Sequence, residues 1–396
     1  MTKPSEKQTI ALVSNTAWSL YNFRLELIKK LQKEGFHVLT ISPKDKYAEL
    51  LIELGCSFEA VTIDNYGSNP FRDFKSILAF RKIYRLYNIQ FIFHYTIKPN
   101  IYGSLAAAVQ GIPFIPVVTG LGHLFTNPNW KTTVAKALYK LAFLSATEVW
   151  FLNESDASIF AQIGLVSESK IKHLPSEGIN TKHYQQYAYG LISNNTFKFI
   201  LASRLILEKG INEYVEAARI LKREGYNVEL HLLGFIEKTN PQGIDLETIL
   251  DWHAEGLICY LGHTDDIRPY LEKADCLVLP TYYREGVPRI LMEGASMQLP
   301  LIATDNVGCR QVVEDNVNGF LCQRKNPQDL VRCMKQMMSL SFKERAHFGL
   351  LGRRRVYTLY HQSIIVNKYI RALKKLLPRA SDQGVESTIK QVKSLQ

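Results

Sequence analysis

The chain has 396 residues, of which 46% are hydrophobic and six are cysteines. This length fits two domains of roughly 150 to 200 residues each, and the irregular cysteine spacing, without a C-x-x-C pair, excludes a disulfide framework and a cysteine metal site. A formal net charge of +11 predicts an anionic partner, and charge alone does not distinguish a nucleic acid, an acidic bilayer or a phosphorylated substrate.

The start of the chain carries no targeting pattern. Residues 1–7 are polar and run directly into a short apolar segment, which is unlike a secretory signal. The most apolar stretch, residues 101–125, is interrupted by Gln110, Pro113 and Pro116 and therefore does not resemble a spanning helix. We expect a cytoplasmic protein without a transmembrane segment.

In the first half, short β-branched or aromatic segments alternate with longer amphipathic ones. Residues 22–34, for example, have the apolar spacing of a helix and lie between the first two predicted strands. This alternation predicts a parallel sheet with crossover helices, in a domain that spans residues 1–185. The predicted strands are residues 9–14, 37–42, 58–63, 90–95, 113–119 and 148–153.

A polar segment, residues 184–196, loses this periodicity and predicts an interdomain linker. The alternation then restarts, so residues 196–354 are predicted to form a second α/β domain facing the first across a cleft. Residues 355–377 predict one long helix able to return to the first domain, and residues 378–396 predict a flexible tail. The strands predicted for the second domain are residues 197–203, 228–234, 257–262, 275–280 and 299–305.

Two glutamates follow the predicted strand 275–280. Pro288 suits a first helical position, so Glu285 would lie in the preceding loop and Glu293 in the second turn. The unpaired N–H groups of such a terminus favour a diphosphate, and carboxylates accept hydrogen bonds from sugar hydroxyls. The alternative is that Glu285 caps the helix and Glu293 is a solvated or paired surface residue.

A second motif, residues 202–210, lies at the carboxyl end of a predicted strand, where open α/β sheets bind ligands. Its two cations, Arg204 and Lys209, are suited to neutralising phosphate charges, although loop cations are often only solvated. Together with the glutamate pair, they favour a nucleotide-sugar site.

These motifs resemble those of the retaining family 4 glycosyltransferases of GT-B fold. The signatures of that family include a Glu-x7-Glu pair, here Glu285 and Glu293, and an Arg-Leu-x3-Lys-Gly segment, here residues 204–210. The likeness covers residues 8–375 and implies an α/β GT-B fold with two Rossmann-like domains facing a central cleft. It extends through residues 261–266, 303–310 and 318–320.

The resemblance also implies roles for individual residues. Glu285 would be catalytic and contact the donor sugar, and Glu293 would bind the ribose hydroxyls. Arg204 and Lys209 would hold the diphosphate. The remaining residues expected to bind the donor are Gly286, Val287 and His263, the last through nearby backbone contacts to the base.

The first domain offers candidates for catalysis and acceptor binding. His123 follows a strand end whose glycines permit close backbone approach, and it is either an active-site residue or a structural one. Lys98 follows the end of the preceding predicted strand, which faces the same edge, and is suited to an acceptor phosphate, whereas His94 beside it supports the loop. Asn15 lies in the first βα turn, which lacks the G-x-G-x-x-G of a dehydrogenase, and Arg24 could simply pair with an acidic neighbour.

Residues 129–146 have the pattern of a basic amphipathic helix. Lys131, Lys136 and Lys140 are set against Val134 and Leu141, which predicts contact with anionic headgroups at the inner face of the cytoplasmic membrane. An ordinary helix facing the core is the alternative.

The resemblance is strongest to transferases that extend a saccharide on undecaprenyl diphosphate, through residues 94–100 and 284–289. It implies a UDP-hexose or UDP-N-acetylhexosamine donor and a lipid-linked saccharide acceptor. No D-x-D-like motif follows a predicted strand, so we expect no metal or other cofactor. The alternatives are a nucleotide-sugar 2-epimerase and a non-catalytic basic protein that binds membranes or nucleic acid. Because the basic residues are dispersed, we expect no nucleic-acid partner.

Overall fold

The computed structural model describes residues 7–64, 70–121, 130–185, 196–237 and 240–377. Two separate sheets succeed each other along the chain, and all strand pairs in both are parallel. Both sheets are flanked by helices. The α/β fold with two parallel sheets is therefore confirmed.

The first sheet has the order β3-β2-β1-β4-β5-β6-β7. The chain builds outward from β1 to β3 and then crosses back to β4, so the loops after β1 and β4 diverge at the carboxyl edge, where such sheets bind ligands. The strands are β1 Thr9–Val13, β2 His37–Ser42, β3 Ser57–Ala60, β4 Ile89–Tyr95, β5 Phe114–Val118, β6 Val149–Phe151 and β7 Ile171–His173.

Helices cover both faces of the first sheet. One face packs on α1 and α2, and the other packs on α3, α4, α5 and α6. Helix α1 begins five residues before the predicted start because the Thr16 side chain caps it, accepting from the Ser19 N–H at 3.1 Å. The helices are α1 Ala17–Lys33, α2 Tyr47–Glu53, α3 Pro70–Leu86, α4 Ser104–Val109, α5 Trp130–Phe143 and α6 Glu154–Gln162.

The second sheet has the order β10-β9-β8-β11-β12-β13, which repeats the topology of the first. Its strands are β8 Phe197–Ala202, β9 Val228–Leu233, β10 Cys259–Tyr260, β11 Cys276–Leu279, β12 Leu301–Thr304 and β13 Gly319–Cys322. The helices that follow β8 are α7 Ile211–Arg223, α8 Leu246–Ala254, α9 Arg268–Leu271, α10 Arg289–Ser296, α11 Val307–Val312, α12 Pro327–Ser339, α13 Phe342–Tyr360 and α14 Gln362–Leu376.

The prediction of a single helix over residues 355–377 is wrong. Helix α13 ends at Tyr360, and His361 is extended, with φ −56° and ψ 135°. The break exposes backbone groups that pair with the earlier crossing of the chain: the Ile179 N–H donates to the Tyr360 carbonyl at 2.9 Å, and the Gln362 N–H donates to the Ile179 carbonyl at 3.0 Å. The two connections between the domains are therefore joined by hydrogen bonds.

Beyond this break, α14 packs on the first domain. The Tyr369 ring lies 4.9 Å from the rings of Phe93 and Trp150, and α14 also contacts α1. The predicted tail, residues 378–396, lies outside the described residues. Among the residues that are described, no helix is long and apolar enough to cross a bilayer.

Candidate functional site

The loop that carries Glu285 lies where the backbones of the two domains touch. Gly120 follows β5 with φ 140°, and a Cβ there would lie 2.8 Å from the Gly286 nitrogen. A Cβ on Gly286 would overlap the carbonyl oxygen of Thr119. Only glycine fits at both positions, so the Glu285 loop is held between the carboxyl edges of the two sheets.

Glu285 and Lys209 form an ion pair. The Lys209 ammonium donates to Glu285 Oε1, and the side chain of Lys209 is 11% exposed and that of Glu285 15%. The backbones of their loops are also joined, because the Tyr282 and Tyr283 N–H groups both donate to the Glu208 carbonyl, at 2.9 and 3.0 Å. The two motifs, 76 residues apart in sequence, thus form one site.

Arg204 lies at the same edge and is more open to solvent than Lys209. One guanidinium nitrogen donates to Glu237 Oε2 at 3.2 Å, and its Cζ lies 5.7 Å from the centre of the Tyr283 ring. The Lys209 ammonium lies 5.4 Å from the same ring. Two cations, each paired with a carboxylate, therefore lie beside the Tyr283 ring at this edge.

Glu293 is buried in α10, where Arg289 Nε donates to its Oε1 at 2.8 Å. Pro288 precedes α10 as its N-cap residue, one position earlier than predicted, and no side chain caps this helix end. Glu285 therefore does not cap it. Glu293 is paired, which was one of the two interpretations of the sequence, and Val287 is buried between Glu285 and the helix.

His263 lies in the loop after β10, about half exposed, with its Nε2 3.8 Å from Asp265 Oδ1. This loop contacts the first domain, since Lys46 and the Tyr47 hydroxyl donate to Asp265 at 2.6 and 2.8 Å. A second contact between the two domains therefore joins residues 46 and 47, which follow β2, to the loop after β10.

Sequence reasoning missed the ion pair between Arg284 and Asp156. Arg284 Nε donates to Asp156 Oδ1 at 2.9 Å, and a second guanidinium nitrogen donates to Ser155 Oγ at 3.2 Å. Asp156 lies at the start of α6 and is 1% exposed. Burial raises the pKa of the Asp156 carboxyl, and hydrogen bonds from Asn153 and Arg284 offset part of this increase. No local pattern links two residues 128 positions apart.

The candidate acceptor residues of the first domain differ in their surroundings. Asn15 is half-buried in the turn between β1 and α1. Lys98 donates to Asp73 Oδ1 at 2.6 Å, and the Tyr102 hydroxyl donates to Asp73 Oδ2 at 2.8 Å. An acceptor phosphate at Lys98 would therefore share the ammonium with a carboxylate. His123 lies outside the described residues.

Two further polar residues of this domain are structural. His94 is fully buried between Tyr84 and Ser104, at 2.9 and 3.2 Å, and burial lowers its pKa to about 3. Arg24 donates to Glu177 at 2.5 Å, which is the acidic neighbour that the sequence allowed for. In the part of the chain that the structure describes, no cluster of three or more His, Cys, Asp or Glu could hold a metal ion.

Both halves of the chain match known families. Residues 9–153 match the family described as Glycosyl transferase 4-like, and residues 189–355 match Glycosyl transferases group 1.

Two relatives named for their reactions match over most of their length. The chain is 28% identical to the N,N'-diacetylbacillosaminyl-diphospho-undecaprenol alpha-1,3-N-acetylgalactosaminyltransferase of Campylobacter jejuni, over 93% of this chain and 99% of that protein. It is 24% identical to the UDP-Gal:alpha-D-GlcNAc-diphosphoundecaprenol alpha-1,3-galactosyltransferase of Escherichia coli, over 66% of this chain and 70% of that protein. A crystal structure of HepE from Anabaena in complex with UDP superposes with a TM-score of 0.75 at 16% identity, covering 93% of this chain and 100% of that one.

Proposed function

Because the chain belongs to the glycosyltransferases of GT-B fold, we propose that it transfers a hexose or N-acetylhexosamine from a UDP-sugar to a saccharide on a polyprenyl diphosphate. The reaction would serve the assembly of a bacterial surface glycan or glycoprotein glycan. The names of the two relatives support this acceptor class, since both specify a diphosphoundecaprenol-linked sugar. The observation that carries the proposal is the Lys209–Glu285 pair at the junction of the two domains.

The donor would bind to the second domain. Lys209 and Arg204 would take the diphosphate, with the N–H groups of Gly286 and Val287 beside it, as expected for anions near a helix N-terminus. Glu293 would accept from the ribose hydroxyls, and the backbone near His263 would contact the base. In the structure, Glu285 is paired with Lys209. When the diphosphate binds Lys209, the Glu285 carboxylate would instead accept a hydrogen bond from a hydroxyl of the donor sugar.

The transfer would retain the anomeric configuration through attack on the face that the diphosphate leaves. The bond from the anomeric carbon to the phosphate oxygen breaks, the bond to the acceptor hydroxyl oxygen forms, and the hydroxyl proton passes to the departing diphosphate. Lys209, Arg204 and the start of α10 would stabilise the negative charge that develops there. These cations support a metal-independent reaction.

The acceptor would approach from the first domain, near Asn15 and Lys98, with His123 close to the transferred sugar. We place the protein in the cytoplasm, peripherally associated with the inner face of the membrane through its basic surface. Helix α5, with Lys140 exposed beside Val134 and Leu141, supports the second part of this proposal.

The test is the release of nucleoside diphosphate from a panel of UDP- and GDP-sugars, with and without polyprenyl diphosphate-linked saccharide in detergent, and with EDTA present. We expect release from a UDP-sugar that depends on the acceptor and persists in EDTA. Conversion of the sugar without an acceptor would show a 2-epimerase instead, and the absence of release across the whole panel would contradict the proposal.

A further inference from the structure

Helix α3 exposes large apolar side chains on one side. Their successive spacings of three, four and eight residues place them on a common helix face, while Phe80 and Tyr84 on the opposite face are buried against the sheet. A soluble protein rarely exposes contiguous apolar surface without a use for it. The exposed residues and their exposed fractions are Phe71 81%, Phe74 59%, Leu78 47% and Leu86 70%.

The same face of α3 is cationic. Lys75, Lys82 and Arg85 are all exposed between the apolar side chains. Asp73, the acidic residue of this helix, faces Lys98 and Tyr102 in the interior of the domain. Within α3 itself, the solvent face therefore combines apolar and positively charged groups, and none of the carboxylates of this described helix lies on it.

Helix α5, which α4 separates from α3, carries a second exposed apolar surface. It lies in the same helical layer as α3, on one face of the first sheet. Its Val134 and Leu141 are about half exposed, and Leu144, just beyond its end, is 64% exposed. The apolar side of α5 is therefore only partly used for packing, which leaves two helices of one layer with apolar groups facing outward.

The beginning of α3 lies beside the edge at which the cleft opens. The ion pair between Asp73 and Lys98, at 2.6 Å, ties the first turn of α3 to the carboxyl end of β4. A membrane surface docked on α3 would therefore also lie close to Lys98, one of the proposed acceptor-binding residues.

We propose that the outer face of α3 is a docking surface for an anionic lipid bilayer, with α3 lying at the level of the headgroups and α5 as a second contact in the same helical layer. Apolar side chains gain free energy at the boundary between headgroups and acyl chains, and cations gain it from anionic headgroups. A nucleic acid would satisfy the cations and stack bases on Phe71 and Phe74, but it would leave Leu78 and Leu86 without an apolar partner, whereas a bilayer covers all four. The physiological use of this surface rests on the proposed transfer to a lipid-linked acceptor, although binding to vesicles requires neither substrate.

The test is sedimentation of the full-length protein with vesicles of phosphatidylcholine mixed with phosphatidylglycerol, compared with phosphatidylcholine alone. The test variant is Phe74→Ser/Leu78→Ser, and the matched control is Leu350→Ser/Tyr357→Ser, which removes two similarly exposed apolar groups from α13 in the second domain. We expect the test variant to lose about tenfold or more of the bound fraction, because each buried apolar group adds to membrane affinity. The control should bind like the wild type.

A second variant, Lys75→Gln/Lys82→Gln/Arg85→Gln, should lower binding to anionic vesicles and bring it to the level of neutral ones. Three results would each overturn the proposal. The wild-type protein could stay in the supernatant, the test variant could bind vesicles as well as the control, or the protein could bind single-stranded RNA without binding vesicles. Transfer to a short-chain acceptor in solution should be unchanged in the test variant. A failure of the docking proposal is therefore distinguishable from a failure of the proposed transfer reaction.

Discussion

In the second domain, the charged residues of the site meet one another at the edge of the sheet, where Lys209 contacts Glu285 and Arg204 contacts Glu237. At the matching edge of the first domain, Lys98 is bound to Asp73 inside its own domain, and Arg24 is bound to Glu177 behind it. In the proposed reaction, the second domain would therefore supply the charged side chains of the site loops, and the first would supply the backbone at Gly120 and the Asp156 carboxylate that pairs with Arg284. We infer that mutations in the second domain should impair the transfer step itself, and that mutations in the first domain should impair the positioning of the site residues.

Removal of the Glu285 charge tests this comparison most directly. In Glu285→Gln, kcat should fall about 10- to 1,000-fold, or about 1.4 to 4 kcal/mol, because the carboxylate contact to the donor sugar is lost. The measurement is steady-state transfer. Glu314→Gln, which removes an exposed partner of Arg355 in the same domain, should leave kcat unchanged. Wild-type turnover in Glu285→Gln would remove Glu285 from the site.

A change in backbone shape should approach that effect without removing any charge. In Gly286→Ala, the new Cβ overlaps the Thr119 carbonyl, so the two domains must separate, and kcat should fall on the order of 100-fold from misplacement alone. The affinity for UDP, measured by calorimetry, should change much less. Gly352→Ala provides the control, because a Cβ there meets only ordinary contacts at 3.5 Å. Equal activity in the two variants would contradict the close approach of the domains.

The buried ion pair across the cleft should have a smaller effect. Asp156→Asn keeps the shape of the side chain but removes the charge that faces Arg284, so we expect kcat to fall about tenfold while the affinity for UDP is retained. A double-mutant cycle with Arg284→Gln should show the pair to be coupled. Lys46→Gln, which breaks an exposed ion pair between the same domains, is the control and should have almost no effect. Additive losses would assign Asp156 a role independent of Arg284.

The smallest effect concerns stability in the first domain. Burial lowers the pKa of His94 from 6.5 to about 3, so below pH 6.5 the unfolded chain binds a proton that the folded protein does not. The stability that depends on neutral His94 is complete above pH 6.5 and is lost as the pH falls. Relative to His94→Gln, the wild type should lose about 1.4 kcal/mol of unfolding free energy between pH 7.5 and 5.5. The free energy of unfolding of both proteins is measured by urea denaturation at each pH. If it depended on pH equally in the wild type and in His94→Gln, a buried neutral imidazole would be contradicted.

The fold was readable from sequence because parallel strands buried on both faces form continuous apolar segments. Strand β2 was predicted to the residue, and the others to within a few residues. Strands β7 and β13 were not recognised. Ile171–His173 is short and mostly exposed, and Gly319–Cys322 is buried but has only four residues and begins with a glycine, so neither gives a strong strand signal. Helix α13 was joined to α14 because nothing in the local pattern marks the extended residue His361.

The site was readable where its residues lie in compact motifs. Lys209 and Glu285 were each singled out from a segment that follows a strand, and the parallel topology brings those segments together. The partners of Arg284 and Lys98 were not, because Asp156 and Asp73 are ordinary acids until the fold sets them opposite a cation. Ion pairs between residues far apart in sequence form only in the tertiary structure, so no sequence spacing predicts them.

The return of α14 to the first sheet has a consequence for protein synthesis. A domain usually folds once its last element has left the ribosome, but here the aromatic group of Phe93 and Trp150 receives Tyr369 only near the end of the chain. The second domain, residues 197–360, is contiguous and complete before that. During translation the first domain is therefore completed after the second, and its apolar surface around Phe93 and Trp150 stays open until Tyr369 has left the ribosome.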